Sequence, residues 1–214
     1  MTAQGRRYWL WGVGLVFTLL VALFFYQRYW IEESTWRWII ALPTLTLAVH
    51  ALRFSRTGGI LVPAALLASA AGDYYGSEGI FLLQVAFFAV AHLFYIADFL
   101  PHRKANRGKK VATGVFGVVV ASYVSYIILN IPFGVNSVAI ALYGVIIATM
   151  GLTAILQRRK YYGWYVVAAL LFVFSDSVIA YGFVGEVPYS GLWIMTTYYA
   201  AQTIFATLAT QRTR

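Results

Sequence analysis

The chain has 214 residues, of which 61% are hydrophobic, 18% aromatic and 11% charged. Soluble domains carry about 25% charged residues, so this composition excludes a soluble globular domain and a disordered chain. The chain has no cysteine, which excludes disulfides, thiolate metal sites and cysteine nucleophiles. The net charge of +9 does not indicate nucleic-acid binding, because the basic residues lie between or beside long apolar stretches and form no basic face within them.

Eight apolar stretches are long enough to cross a membrane as helices, which takes about 20 residues for a hydrocarbon core of about 30 Å. The first is too long for a signal peptide and is followed by no small-residue cleavage site, so we interpret it as a retained helix. The pattern predicts an all-α integral membrane protein, an eight-transmembrane-helix bundle in which residues 1–214 form a single transmembrane domain. The stretches are Tyr8–Tyr29, Trp36–Phe54, Ile60–Gly76, Ile80–Leu100, Val111–Leu129, Val135–Leu156, Trp164–Phe183 and Leu192–Thr210.

The charges of the connecting segments predict the orientation of this bundle. Fourteen of the sixteen Lys and Arg residues fall on one side of the membrane, and only Arg28 and Arg37 fall on the other. By the positive-inside rule, the N and C termini are both expected to be cytoplasmic. The cytoplasmic cations are Arg6, Arg7, Arg53, Arg56, Arg103, Lys104, Arg107, Lys109, Lys110, Arg158, Arg159, Lys160, Arg212 and Arg214.

Two segments of the chain share a short pattern. Residues 64–67 read Ala-Ala-Leu-Leu and precede Asp73 in the third stretch, and residues 168–171 read the same and precede Asp176 in the seventh. A four-plus-four parallel repeat would explain this similarity. Chance similarity between apolar helices is the alternative explanation.

Two of the seven acidic residues, Asp73 and Asp176, lie well inside predicted helices, whereas Asp98 lies near a helix end, where solvation is easy. A carboxyl group at membrane depth costs about 2.5–3.5 kcal/mol on insertion scales, so such residues are functional candidates by default. Both helices are predicted to run outwards from the cytoplasmic side, and each Asp comes about 20 Å along its helix. The two are therefore expected to face each other, although hydrogen bonds that only fix helix packing are the alternative.

Other polar side chains are expected at a similar depth, where they would complete a cavity around the two acids. Residues three or four apart share a helix face. His92 and Tyr95 form such a pair in the fourth helix, and Tyr198 and Gln202 form one in the eighth. Each of these residues also fits a purely structural role in the bundle. Metal hydrolases usually need three protein ligands, and only one histidine lies deep in a helix, so a zinc site would need His92 together with Asp73 and Asp176, and no metal site is predicted. The supporting candidates are His92, Tyr95, Tyr143, Tyr198, Tyr199 and Gln202.

Two carboxyl groups in one low-dielectric pocket would share a proton, which leaves one acid and one base at neutral pH. Such a pair suits hydrolysis of an acid-labile bond, because the acid protonates the substrate and the carboxylate stabilises an oxocarbenium-like cation or activates water. Aromatic walls at membrane depth would hold a lipid chain. The same residues also fit a proton-coupled small-molecule transporter, and a lipid-binding protein without turnover is a third hypothesis.

Four short motifs, taken in order, give the chain a resemblance to a known family. They are SAAGD at 69–73, AHLFYI at 91–96, FSDS at 174–177 and TYYAAQ at 197–202. In the order and spacing of these motifs and in its eight expected helices, the chain resembles the YhhN-type lysoplasmalogenases, which are integral membrane hydrolases. The resemblance covers nearly the whole chain.

This resemblance implies hydrolysis of the vinyl ether bond of lysoplasmalogens to a fatty aldehyde and glycerophosphoethanolamine or glycerophosphocholine, without a metal or cofactor. It implies a lysophospholipid as substrate and the lipid bilayer as surroundings. We hypothesise that Asp73 and Asp176 share the acid and base roles, and the residues leave open which does which. The absence of cysteine and of eukaryotic retention signals favours a bacterial inner membrane as the location of this multi-pass protein.

Overall fold

The computed structural model describes residues 3–31, 36–54 and 59–211, which form eight α-helices and no β-strand. Each helix coincides within a few residues with one predicted stretch, so the all-helical prediction is confirmed. A short 3₁₀-helix, Arg37–Ala41, leads directly into the second α-helix. The α-helices are α1 (Ala3–Trp30), α2 (Leu42–Phe54), α3 (Leu61–Ser77), α4 (Phe81–Phe99), α5 (Arg107–Leu129), α6 (Val135–Ile155), α7 (Tyr162–Tyr181) and α8 (Ser190–Thr210). Among the charges used to predict the orientation, Arg56, Arg212 and Arg214 lie outside the described residues.

Five helices of the described chain, α1 and α4 to α7, are long and apolar enough to cross a membrane. The remaining three helices are too short or too polar to meet this criterion. Helices α2 and α3 have 13 and 17 residues, fewer than the roughly 20 that a full span requires. Helix α8 has 21 residues but contains several threonines and Gln202. These shorter or more polar helices supply much of the polar interior described below.

Successive helices run in opposite directions, and six of them form the centre of the bundle. Helix α3 packs most extensively against α4, and α7 against α8. Small residues such as Ala65, Ala91 and Ala168 are fully buried, which lets the helices approach closely. Helices α1 and α5 lie at the periphery, since α5 buries only Val120 and Ile127 within the described structure.

Glycines of α6 allow α5 to pack closely against it. A Cβ atom on Gly144 would lie 2.8 Å from Cγ2 of Val124, and a Cβ atom on Gly151 would overlap the ring of Phe116. Neither contact leaves space for a side chain. The position of the peripheral helix α5 therefore depends on the absence of side chains at these two residues.

The loops 100–106 and 156–161 pair at one end of the bundle, called here the basic end. The backbone N–H of Lys104 donates to the carbonyl of Leu156 at 2.8 Å, and that of Arg158 donates to the carbonyl of His102 at 2.9 Å. These bonds join the connection between α4 and α5 to the connection between α6 and α7. The four helices are thus tied together at this end.

The expectation that Asp98 is easily solvated is wrong. Asp98 is only 8% exposed, and its carboxylate accepts hydrogen bonds from Nη1 and Nη2 of Arg159 at 2.5 and 3.1 Å. Nη1 of Arg159 also donates to the hydroxyl of Tyr165 at 3.1 Å. Burial lowers the pKa of Arg159, but the hydrogen bond and charge of Asp98 outweigh that effect, so its pKa is raised. Asp98 is buried because a paired guanidinium takes the place of water.

We expect Gly151→Val to lower the free energy of unfolding by about 1–3 kcal/mol, the usual cost of overpacking a close contact. The new side chain would displace Phe116 and with it α5. Thermal denaturation of the purified protein in detergent measures the effect. Gly114→Val is the matched control, because a Cβ atom on Gly114 of α5 meets nothing within 4 Å. Equal losses in the two variants would show that valine itself, and not the helix contact, is responsible.

We expect Arg159→Gln to lower the free energy of unfolding by about 3–5 kcal/mol, because it leaves a buried carboxylate without its charge partner. Chemical denaturation followed by circular dichroism measures the loss. Arg158→Gln, in an exposed neighbour, serves as the control and should have little effect. The double variant Asp98→Asn/Arg159→Gln should be more stable than Arg159→Gln alone, and the opposite result would contradict the ion-pair explanation.

Candidate active site

A cavity of about 880 Å³ opens at the end of the bundle opposite the basic end. Its walls come from α1, α3, α4, α7, α8 and the 3₁₀-helix Arg37–Ala41. Asp73 and Asp176 both line this cavity, so the structure brings together the two acids that the sequence singles out. Phe88 and Tyr198 line it as well, whereas Arg28 and Arg37 lie near its mouth, at the ends of their helices.

Asp73 is held by hydroxyl groups from two other helices. Its Oδ2 accepts a hydrogen bond from Oγ1 of Thr44 in α2 at 3.0 Å and another from Oη of Tyr198 in α8 at 2.8 Å. Asp73 is 4% exposed, and Thr44 is fully buried. These bonds fix the orientation of the carboxylate on α3 and supply the donors that a buried acid requires.

Asp176 has a separate set of partners. Its Oδ2 accepts a short hydrogen bond from the hydroxyl of Tyr143 in α6. Nε2 of His92 in α4 lies 2.8 Å from the same hydroxyl and 3.5 Å from Oδ2 of Asp176. The other carboxylate oxygen, Oδ1, is buried and has no hydrogen-bond partner among the described residues. His92, Tyr143 and Asp176 therefore form one cluster in which Oδ1 is left for an additional donor.

Of the six supporting candidates, Tyr198 lines this cavity, His92 and Tyr143 contact Asp176 without lining it, and the other three lie away from it. Oη of Tyr95 donates to Oε1 of Gln202 at 2.6 Å, and both side chains are fully buried without lining the cavity. Tyr95 shares a helix face with His92, but it lies about one turn closer to the basic end. Oη of Tyr199 donates to the backbone carbonyl of Ile40 at 2.8 Å and so attaches the 3₁₀-helix to α8. The expectation that all six supporting residues surround one cavity is therefore wrong. Only Tyr198 lines it, whereas Tyr143 lines the smaller pocket described next and His92 lines neither space.

A smaller, apolar pocket lies next to the cavity, between α4, α6 and α7. Phe81, Val85 and Ile140 line it together with Tyr143. Asp176 lines both this pocket and the polar cavity. It therefore stands at the boundary between a polar space and an apolar one.

The described residues contain no group of three His, Asp or Glu side chains that could hold a metal ion. His92 approaches Asp176, whereas Asp73 is bonded to Thr44 and Tyr198. The arrangement therefore offers carboxyl, imidazole and phenol groups for acid–base chemistry.

Sequence reasoning missed Thr44 as a partner of Asp73. Threonines inside helices commonly bond the carbonyl four residues earlier, as Thr46 does with Leu42 at 3.0 Å. Nothing in the sequence distinguishes Thr44 from Thr46. The sequence placed Arg28 and Arg37 on the less basic side of the membrane and offered Arg37 as a contact for an anionic head group, but it did not indicate that both line one cavity.

The model of the YhhN family matches residues 36–209, a range that contains both aspartates and all six supporting residues. Lysoplasmalogenase TMEM86B of Rattus norvegicus is 33% identical over 192 residues, which cover 86% of this chain and 78% of that protein. Lysoplasmalogenase TMEM86B of Homo sapiens is 33% identical over 184 residues, or 81% and 76% of the two chains. Lysoplasmalogenase TMEM86A of Bos taurus is 30% identical over 203 residues, or 85% and 82%. No solved structure is significantly similar to the chain.

Proposed function

The chain belongs to the YhhN family, and from this we propose that it is a lysoplasmalogenase that hydrolyses the vinyl ether bond of lysoplasmalogens. The products are a fatty aldehyde and glycerophosphoethanolamine or glycerophosphocholine. The observation that carries the proposal is that Asp73 and Asp176 line one cavity in a chain similar to proteins named lysoplasmalogenase. The alternative of a proton-coupled transporter is not favoured, since the relatives are named as enzymes and the similarity covers most of their length.

The boundary position of Asp176 suggests how the substrate lies. A lysoplasmalogen has a polar glycerophospho group and an apolar chain, and the vinyl ether joins the two. We place the vinyl end of the chain at the small apolar pocket between α4, α6 and α7, with the rest of the chain extending into the bilayer, and the polar part in the cavity. The vinyl ether then lies beside Asp176, within the same cavity that Asp73 lines.

The two carboxyl groups supply the chemistry of the reaction. A carboxylic acid donates its proton to the vinyl carbon that is not bonded to oxygen, which leaves an oxocarbenium ion at the neighbouring carbon. Water adds to that carbon and loses a proton to a carboxylate. The resulting hemiacetal then releases the glycerol oxygen as an alcohol and leaves the aldehyde. The net reaction consumes one water, and the catalytic proton is returned.

The surrounding side chains act by holding the two acids in place. Thr44 and Tyr198 orient Asp73, while Tyr143 orients Asp176 and connects it to His92. Because each acid has donors from other helices, its position is set by the packing of the bundle. Such fixed geometry is what acid–base catalysis requires.

The chain is a multi-pass integral membrane protein, and we propose that all eight helices cross the membrane with both termini in the cytoplasm. The concentration of Lys and Arg at the basic end supports this orientation. The cavity then opens on the side away from the cytoplasm, in a bacterial inner membrane. The four-plus-four repeat remains a prediction.

We expect Asp73→Asn and Asp176→Asn each to lower the turnover number by about 100-fold or more, the usual contribution of general acid–base catalysis. The measurement is aldehyde release from a lysoplasmalogen by purified protein in detergent. Glu78→Gln, at an exposed residue, is the control for loss of a carboxylate and should retain full activity. Turnover within twofold of wild type in either folded Asn variant would contradict the shared mechanism. No aldehyde from folded wild type would contradict the function itself.

The absence of cysteine allows the orientation to be tested with single cysteines. We expect Ser77→Cys, which lines the cavity, to react in intact cells with a membrane-impermeant thiol reagent. Lys160→Cys, at the basic end, should react only after permeabilisation. Ser69→Cys should react in neither case, because Ser69 is fully buried. Labelling of Lys160→Cys but not Ser77→Cys in intact cells would show the reverse orientation.

A further inference from the structure

We propose that the mouth of the cavity is a binding site for the zwitterionic phosphodiester head group of the substrate. Arg28 and Arg37 bind the phosphate there, and the rings of Trp30 and Trp36 take up the ammonium group. The inference rests on the proposed function, since it places the polar end of the same lipid. It adds a recognition site that is separate from the two acids.

The first argument is the position of the two arginines. Arg28 lies in the last turn of α1, and Arg37 begins the 3₁₀-helix, so the two cations come from separate elements and line the same cavity. The positive-inside rule depletes cations on this side of the bundle and does not account for them. Guanidinium groups match the geometry of phosphate, which they bind through paired hydrogen bonds.

The second argument is the start of α8, which lies next to Arg28. A Cβ atom on Gly191 would be 3.7 Å from Nε of Arg28 and 3.6 Å from Oη of Tyr29. Gly191 belongs to the first turn of a 21-residue helix and lines the cavity. The helix N-terminus carries a partial positive charge that favours anions. A guanidinium group and a helix dipole thus act together at one corner of the mouth.

The third argument is the tryptophans that line the same cavity as these cations. Trp30 and Trp36 line the cavity, although they are 73% and 56% exposed. The ring of Tyr26 stacks on that of Trp30 with centroids 6.2 Å apart and so supports it. Tryptophan is the best ring for binding an ammonium group through its π face. A site with both guanidinium and indole groups therefore suits a ligand that carries an anion and a cation.

The order of these features along the cavity matches the order of groups in the lipid. The arginines and tryptophans of the lining are exposed, the two acids are buried, and the apolar pocket adjoins Asp176. A lysoplasmalogen presents its head group, its glycerol and vinyl ether, and its chain in the same sequence. The mouth therefore sets how far the lipid enters and holds the vinyl ether next to the acids.

Comparison of two substrates tests the site. One is a lysoplasmalogen, and the other is a 1-alkenylglycerol with the same chain and vinyl ether but no phosphodiester. We expect Arg28→Gln and Arg37→Gln each to raise KM for the lysoplasmalogen about tenfold, as for loss of a charge-assisted hydrogen bond, with kcat within twofold. Their KM for the alkenylglycerol should equal that of wild type. Arg158→Gln at the basic end is the control and should change neither KM.

Two outcomes of this comparison would overturn the site. One is an unchanged KM for the lysoplasmalogen in both arginine variants. The other is an equal rise in KM for both substrates, which would show a general distortion of the cavity and no recognition of phosphate.

A binding measurement separates this inference from the proposed function. The probe is an alkyl-ether lysophosphatidylcholine, which has no vinyl ether to hydrolyse, and the reference is the matching alkylglycerol. Calorimetry in lipid nanodiscs should show tighter binding of the phosphate-bearing probe, reduced about tenfold by Arg28→Gln. This result without aldehyde release would refute the function and support the site. Aldehyde release with no effect of the arginine variants on either measurement would refute the site and support the function.

Discussion

The burial of two carboxyl groups inside an apolar bundle is the constraint on which the rest of the structure depends. Each acid is largely removed from bulk water and needs hydrogen-bond donors, and each obtains them from other helices. Asp73 on α3 takes its donors from α2 and α8, whereas Asp176 on α7 takes its donor from α6 and lies near His92 of α4. All six central helices are therefore tied to one or the other acid, and the same contacts that stabilise the bundle also shape the cavity.

The helices could be predicted from the sequence, and so could the placement of both acids along one cavity, because both depend on distance along a helix. Long apolar stretches bounded by charged loops locate the helices, and the rise per residue predicts a similar depth for Asp73 and Asp176. The direction in which a side chain faces around its helix, and the contacts between segments far apart in the chain, cannot be derived from the sequence in this way. Tyr95 therefore pairs with Gln202, and Asp98 pairs with an arginine 61 residues away, against expectation. Thr44 was missed for the same reason, since its face was unknown.

Helix α1 has a role that its peripheral position does not suggest. It lies outside residues 36–209, the range that the family model matches, and packs chiefly against α2. Its last turns nevertheless supply one wall of the cavity, from Phe24 to Trp30. The acids and their donors thus come from the matched range, while part of the mouth comes from a helix that precedes it. On the proposed head-group site, a change in α1 would alter substrate preference without any change at the acids.

The contact between the polar cavity and the apolar pocket at Asp176 has a consequence for the end of the reaction. On the proposed function, bond cleavage at this boundary separates the substrate into one product that prefers hydrocarbon and one that prefers water. The aldehyde would leave sideways at the apolar pocket between α4, α6 and α7, and the glycerophosphodiester would leave through the mouth of the cavity. Each fragment leaves by partitioning into its own medium, so neither has to displace the other. The enzyme would then have two separate exits, and cleavage of the substrate would direct each product to its own exit.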